Sequence, residues 1–306
     1  MRGAGVTLAL ALGACGGGAG VDADAVPFVD AGPSQPERGR IDVLEVTRDG
    51  GTYTVVGAQF FDGERPRYHT LADAAGACTL EVFEAAFCDP ACDGGYCNAG
   101  TCIPYPTFVG AGDVTITGTT EPIELLPGNQ YYPDQLPADL FSPAATITAS
   151  IAGDVDGIPA MTLSAPATAP IVAELTDFKI TLAPGASHTV RWTPDDDAPG
   201  ARMRLTINAN NVGHGYPFAA IIACDVADAA GEVTVAAVLI DAFPATEAWQ
   251  VCAGHDCPPS SLTRYHEDTS GGALPDGEVR LLAGARLDFG VIHAAPIPVT
   301  SPGVSP

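Results

Sequence analysis

Proline and glycine interrupt this chain at such short intervals that long helices have no room: 27 Pro and 35 Gly are spread through 306 residues. Proline removes a backbone donor, and glycine is entropically costly inside regular elements, so short strands joined by turns are what can form between them. The intervening runs have strand chemistry. Ile41 to Val46 and Thr52 to Phe60 flank Asp49-Gly50-Gly51, a hairpin signal because glycine reaches the positive φ of a tight turn. In Arg202 to Asn208, the residues Met203, Leu205 and Ile207 alternate with Arg202, Arg204, Thr206 and Asn208, which predicts one core face and one wet face. Further strands are expected at 112–117, 145–151, 178–182, 219–226, 232–239, 278–282 and 286–292. Asp228-Ala229-Ala230-Gly231 reads as a turn, and helical turns are expected only near Pro137 to Phe141 and Ala242 to Trp249. The fold class predicted is all-β, an antiparallel β-sandwich in modules with a small disulfide-rich insertion. Trp192 is expected in the core of the second module, but no Cys stands between Cys102 and Cys224, so an immunoglobulin assignment has no support.

At the amino end an apolar run, Val6 to Leu12, follows Met1-Arg2 and is far shorter than the roughly 20 residues that cross a bilayer. It closes on Leu12-Gly13-Ala14-Cys15 and opens onto a glycine string. This tetrapeptide resembles the lipobox of bacterial lipoproteins. The resemblance implies cleavage before Cys15, a diacylglycerol thioether on its sulfur, and palmitate-like chains that together hold the protein on a membrane, each buried methylene contributing about 0.8 kcal/mol. Gly16, where Asp would signal inner-membrane retention, implies the outer membrane as the address. Residues 1–14 are then a signal peptide, and 15–39, rich in Gly, Ala, Asp and Pro, a flexible tether. A β-rich module is expected over 40–165, with a Cys-rich insertion at 76–104. A β-sandwich over 166–300 and a tail at 301–306 complete the division, with the linker at Ser164 to Pro170; one continuous sandwich is the alternative.

A formal charge of −24 argues against nucleic acid and anionic membrane faces as partners. With Cys15 set aside, eight cysteines remain: Cys78, Cys88, Cys92, Cys97, Cys102, Cys224, Cys252 and Cys257. Export places them where disulfides persist. Five lie in the first half and three in the second, so full oxidation requires a bridge between the halves, and Cys78, ten residues ahead of the tight cluster, is the expected crossing partner. The run from Cys88 to Cys102, with turns at Asp93-Gly94-Gly95 and Asn98-Ala99-Gly100, resembles a miniature of the EGF-like knots of exported proteins. Zinc thiolates are the alternative for that cluster, and for Cys252, His255, Asp256 and Cys257, but an oxidising compartment favours disulfides in both places.

The most unusual polar stretch runs from Asn208 to Tyr216, and Asn210, Asn211, His214 and Tyr216 are candidate binding-loop residues for a sugar or peptide. Asp154 with Asp156, the run Asp195 to Asp197, and Asp225 with Asp228 supply hard oxygens that suit Ca²⁺. None completes a calcium loop, so they are read as solvated turns and no cofactor or metal is expected. Arg264 to Asp268 is read as a solvated loop or strand edge. No nucleophile elbow, zinc-protease helix or phosphate-binding loop is present. The expectation is a non-enzymatic, lipid-anchored envelope protein that contacts a glycan or another protein or serves a structural role. The competing reading is an exported hydrolase or metal-dependent enzyme using His214, His255 and His266.

Overall fold

Strands form where apolar side chains recur at every second position, and the buried faces follow that alternation. In a computed structural model, residues 36–294 are described apart from 50, 67, 84–86, 99, 129, 134, 138, 143, 212–217 and 247–259. The first hairpin joins β1 (Glu37–Arg48) to β2 (Gly51–Phe60), and the second joins β3 (His69–Ala75) to β4 (Cys78–Phe83). A short ribbon follows, β5 (Gly95–Asn98) and β6 (Thr101–Pro104), and then β7 (Val114–Thr117), β8 (Ile123–Leu125), β9 (Thr146–Ile151) and β10 (Met161–Pro166). The remainder comprises β11 (Lys179–Leu182), β12 (His188–Arg191), β13 (Arg202–Asn211), β14 (Phe218–Ala227), β15 (Glu232–Val235), helix α1 (Ala237–Ala242), β16 (Ser260–Thr269) and β17 (Glu278–His293).

The class is all-β, as the sequence predicts. The main sheet has the order β2-β1-β17-β16-β13-β14-β4-β3, with β11 alongside the end of β17. Its pairing departs from the antiparallel expectation at two places. β1 runs parallel to β17 over Glu37 to Arg48, and β11 runs parallel to it over Lys179 to Leu182. No tight turn joins either pair, so nothing in the connection imposes an antiparallel direction.

The inward face of the main sheet is covered by two groups of elements. Ile41, Val43, Val279, Leu281 and Ala283 pack with Val114, Ile116, Ile147, Ala149 and Leu163 of the antiparallel sheet β10-β9-β7-β8. Further along, Met203, Leu205, Ile207, Leu287, Phe289 and Val291 pack with Leu182, Val190, Trp192, Val233, Leu239 and Ile240. β17 therefore contributes its first half to one core and its second half to the other. At about 1.5–3 kcal/mol for each large side chain removed from water, these two layers carry most of the stabilisation.

Several boundaries differ from those read in the sequence. The division at 165/166 does not separate the modules, because the main sheet takes β1 to β4 from before it and β13, β14, β16 and β17 from after it. The first three residues of the expected linker, Ser164 to Pro166, are the end of β10, and Ala165, Ala167 and Thr168 are buried. Glu37 to Gly39, assigned to the tether, already pair with β17. The Cys-rich insertion begins after β4, which belongs to the main sheet. The strand expected over 232–239 stops at Val235, and α1 follows it, ending two residues before Pro244, with Leu239 and Ile240 buried and its first N–H donating to Ser187 Oγ at 3.2 Å. Residues 247–249 of the other helical expectation lie outside the described residues. Near Pro137 to Phe141 the N–H groups of Leu140 and Phe141 donate to Glu45 Oε1, at 2.8 and 3.4 Å, in place of helical acceptors. The strands expected at 278–282 and 286–292 are one strand, because Gly284 is a place of close approach instead of a turn: a Cβ there would lie 2.1 Å from the Arg264 carbonyl oxygen.

Candidate aromatic binding surface

The Cys-rich insertion is stapled by two disulfides, Cys88–Cys97 and Cys92–Cys102. Cys97 and Cys102 face each other across the β5–β6 ribbon, and each reaches back to the loop before it. The insertion is also clamped to the end of β2. Thr107 donates its N–H to Asp62 Oδ1 at 2.7 Å and its hydroxyl to Asp62 Oδ2 at 2.5 Å, and these bonds hold the Asp62 carboxyl below the ordinary carboxylate range. Val109 N–H donates to Phe60 carbonyl at 3.0 Å and Arg38 Nε to Phe61 carbonyl at 2.8 Å.

On this stapled base a run of aromatic side chains lies open to solvent. The exposed Phe108 rests on the buried Phe61, ring centroids 5.0 Å apart, and the Arg65 guanidinium stands 5.0 Å over the Phe61 ring. Tyr96 and Tyr105 are 5.8 Å apart, Tyr68 and Phe83 6.4 Å, and His69 and Phe83 6.3 Å. Tyr68 connects the ribbon to the β3–β4 hairpin. Partial burial pushes its hydroxyl above the ordinary tyrosine value, with Tyr105 acting in the same direction, so it stays a neutral donor near neutral pH. Tyr96 is raised as well, by burial and then by Glu64. Tyr68, Phe83 and Phe108 are each close to two-fifths exposed, Tyr105 is about half exposed and Phe87 is 77 % exposed. Rings with one bare face and a polar tip are the side chains that dominate recognition surfaces, because they bury area at little rotamer cost.

The residues singled out in the sequence fall as follows. Cys78 is bonded to Cys224 across the neighbouring strands β4 and β14, a link between the two halves of the chain. Cys88, Cys92 and Cys102 have their sulfurs within 4.8 Å of one another, but all three are disulfide sulfurs and not free thiolates. Cys15, Cys252, Cys257, His214, His255 and Tyr216 lie outside the described residues. Asn210 and Asn211 belong to the backbone of β13 instead of a loop, and Asn211 pairs with Phe218.

Most of the candidate calcium carboxylates are neutralised or engaged within the fold. Asp225 accepts from Arg202 Nε at 2.6 Å, Arg204 Nε at 3.0 Å and the Tyr265 hydroxyl at 2.5 Å. Burial, reinforced by that carboxylate against the opposing Arg204, pushes Tyr265 up to about 12. Asp228 pairs with Arg264, Asp195 accepts from the Ala169 and Asp197 N–H groups, and Asp154 accepts from the Asp156 N–H. The stretch Arg264 to Asp268, expected as a loop or an edge, is part of β16, an interior strand of the main sheet. A second Tyr-Arg-Asp group lies on the outer face of that sheet. Tyr53 donates to Asp288 Oδ2 at 2.9 Å, and Arg286 reaches both Asp288, at 2.8 Å, and the Tyr53 hydroxyl, at 3.2 Å. These sets are closed on themselves and brace the outer face.

Sequence reasoning missed the aromatic surface. The available signal was a set of Phe and Tyr residues in polar, non-alternating positions on either side of the cysteine cluster, where no core face needs them. No protein-family model matches the chain, and no curated protein matches its sequence. The fold and surface define a disulfide-bonded all-β protein with an open aromatic face.

Proposed function

We infer that this protein is a lipid-anchored component of the cell envelope, held through Cys15 on the outer membrane, whose β body recognises an envelope glycan without chemically altering it. The observation that carries this reading is the exposed run of Phe83, Tyr68, Tyr105 and Phe108 on a base immobilised by two disulfides. A pyranose ring has an apolar C–H face and a rim of hydroxyls. Tyrosines offer the complementary pair, a bare ring and a phenol that donates and accepts. The surface is open and not a closed pocket, which suits a polymer that lies across it. The absence of catalytic motifs in the sequence and the engagement of Asp225, Asp228 and Asp288 by arginines support binding over turnover.

The test uses the detergent-extracted full chain on immobilised envelope polysaccharides. Retention is expected, and the Y68A/Y105A double variant should lose at least about tenfold in affinity while keeping its melting temperature, the size of change that truncating central aromatic contacts produces. Equal binding by the variant overturns the assignment of the surface. Specific capture of a protein with no glycan retained overturns the assignment of the partner. An intact mass showing Cys15 without acyl chains overturns the anchor.

A further inference from the structure

A separate groove of about 800 Å³ opens between the end of β1, the 171–179 segment and β17. Its volume falls in the range of small-molecule sites. Ile171 and Leu287, both nearly buried, lie under it together with the half-buried Phe178, so the floor is apolar. Thr176 to Lys179 form a tight turn, Lys179 N–H to Thr176 carbonyl at 3.0 Å, in which two consecutive non-glycine residues are left-handed, Asp177 at φ 50° and Phe178 at φ 53°. A bulky residue in that region is uncommon and persists only where its surroundings hold it. Here the Gly290 N–H donates to the Phe178 carbonyl at 2.8 Å, and Lys179 pairs with Gly290 of β17. The turn thus fixes the Phe178 ring in the groove and sets Asp177 and Lys179 at its rim, beside Asp49 of the first hairpin.

These three rim charges contrast with those elsewhere on the molecule. Arginine and carboxylate side chains across the sheets are matched in pairs, yet among the described residues neither Asp49 nor Asp177 forms an ion pair or a side-chain hydrogen bond. Lys179, the only lysine of the chain, has no carboxylate within ion-pair distance among them either. Two carboxylates against one ammonium, on a protein of formal charge −24, give the rim a negative potential that draws cations in. We propose that this groove binds a small amphipathic amine, its hydrocarbon body on Ile171, Phe178 and Leu287 and its ammonium between Asp49 and Asp177. Lys179 supplies a donor for an oxygen on the same ligand and disfavours polycations. The site is independent of the aromatic surface.

Hexylamine, with hexanoate as the charge-reversed control, tests this by calorimetry and amide chemical shifts on the full chain at low salt. Hexylamine should bind with a dissociation constant of about 1 mM or tighter, with shifts centred on Phe178 and Leu287, and hexanoate should not. The D49N/D177N double variant keeps residues that tolerate a left-handed backbone, so it should fold with an unchanged melting temperature and bind at least about tenfold more weakly. No hexylamine binding, equal binding of hexanoate, undiminished binding by the variant, or shifts elsewhere on the surface would each overturn the proposal.

Discussion

Arg264 Nε lies 2.9 Å from Asp228 Oδ1, with both side chains almost wholly removed from solvent, at 2 % and 3 % exposure. The pair sits where the two cores meet, on the inward face of β16, with Met203 and Ala285 as its lateral neighbours. Arg264 also donates to the carbonyls of Ala169, Pro170 and Thr193, while Asp228 Oδ2 accepts from the Asp195 N–H at 2.7 Å and the Asp228 carbonyl accepts from Trp192 Nε1 at 2.9 Å. One guanidinium and one carboxylate therefore satisfy backbone groups from two loops, at Ala169–Pro170 and at Thr193–Asp195. Removing either partner leaves a buried charge, so R264M and D228N should each lower the unfolding free energy by about 3–5 kcal/mol in urea titrations. A loss below about 1 kcal/mol would mean that water enters the site.

The link between Cys78 and Cys224 closes a loop of 146 residues, and both residues are 1 % exposed. The C78A/C224A variant should be less stable by about 2–5 kcal/mol, as measured by calorimetry. Access also orders reduction. Under mild reductant, alkylation followed by peptide mapping should label Cys92 and Cys102, which are partly or fully exposed, before Cys78 or Cys224.

Gly284 lies so close to β16 that any side chain there displaces backbone. G284A should separate β16 from β17 and cost several times the effect of G51A, whose added methyl would meet nothing nearer than 3.6 Å. Comparison of the two melting temperatures checks this.

Burial holds both His188 and His266 below the usual histidine value, and for His266 the carboxylates of Asp195 and Asp228 oppose that effect only partly. Their folded forms resist protonation more than their unfolded forms do. Stability is therefore full above about pH 6.5 and falls as the pH drops from there toward the lowered folded values, where the unfolded chain binds more protons. H188Q should flatten that part of the stability curve measured by denaturant midpoints between about pH 5 and 7. An unchanged slope would assign the dependence to other groups.

Local geometry was legible in the sequence. The hairpin between β1 and β2 and the burial of Met203, Leu205 and Ile207 follow from turn residues and period-two alternation, although Asp49, at φ 43°, takes a left-handed conformation expected of glycine, and Asn208, expected on the wet face, is buried. What was hidden depends on partners far along the chain. Arg264 reads as a solvent residue until Asp228 and three carbonyls converge on it. Gly284 reads as a break until β16 is brought against it. Tyr68 and Tyr105 become neighbours only after the knot folds back on the end of β2. Strand pairing between β1 and β17 has no local signal, because a parallel pair needs no tight turn between its members.

That same pairing sets a schedule for the molecule. Whether it leaves a ribosome or threads a translocation pore from its amino end, the chain cannot finish pairing β1 with β17 until residue 288 has emerged, and the two hydrophobic layers wait for their last members, Ala283 and Val291. Such a polypeptide stays threadable through most of its passage and closes late, in a single long-range step with the slow kinetics of non-local β topologies.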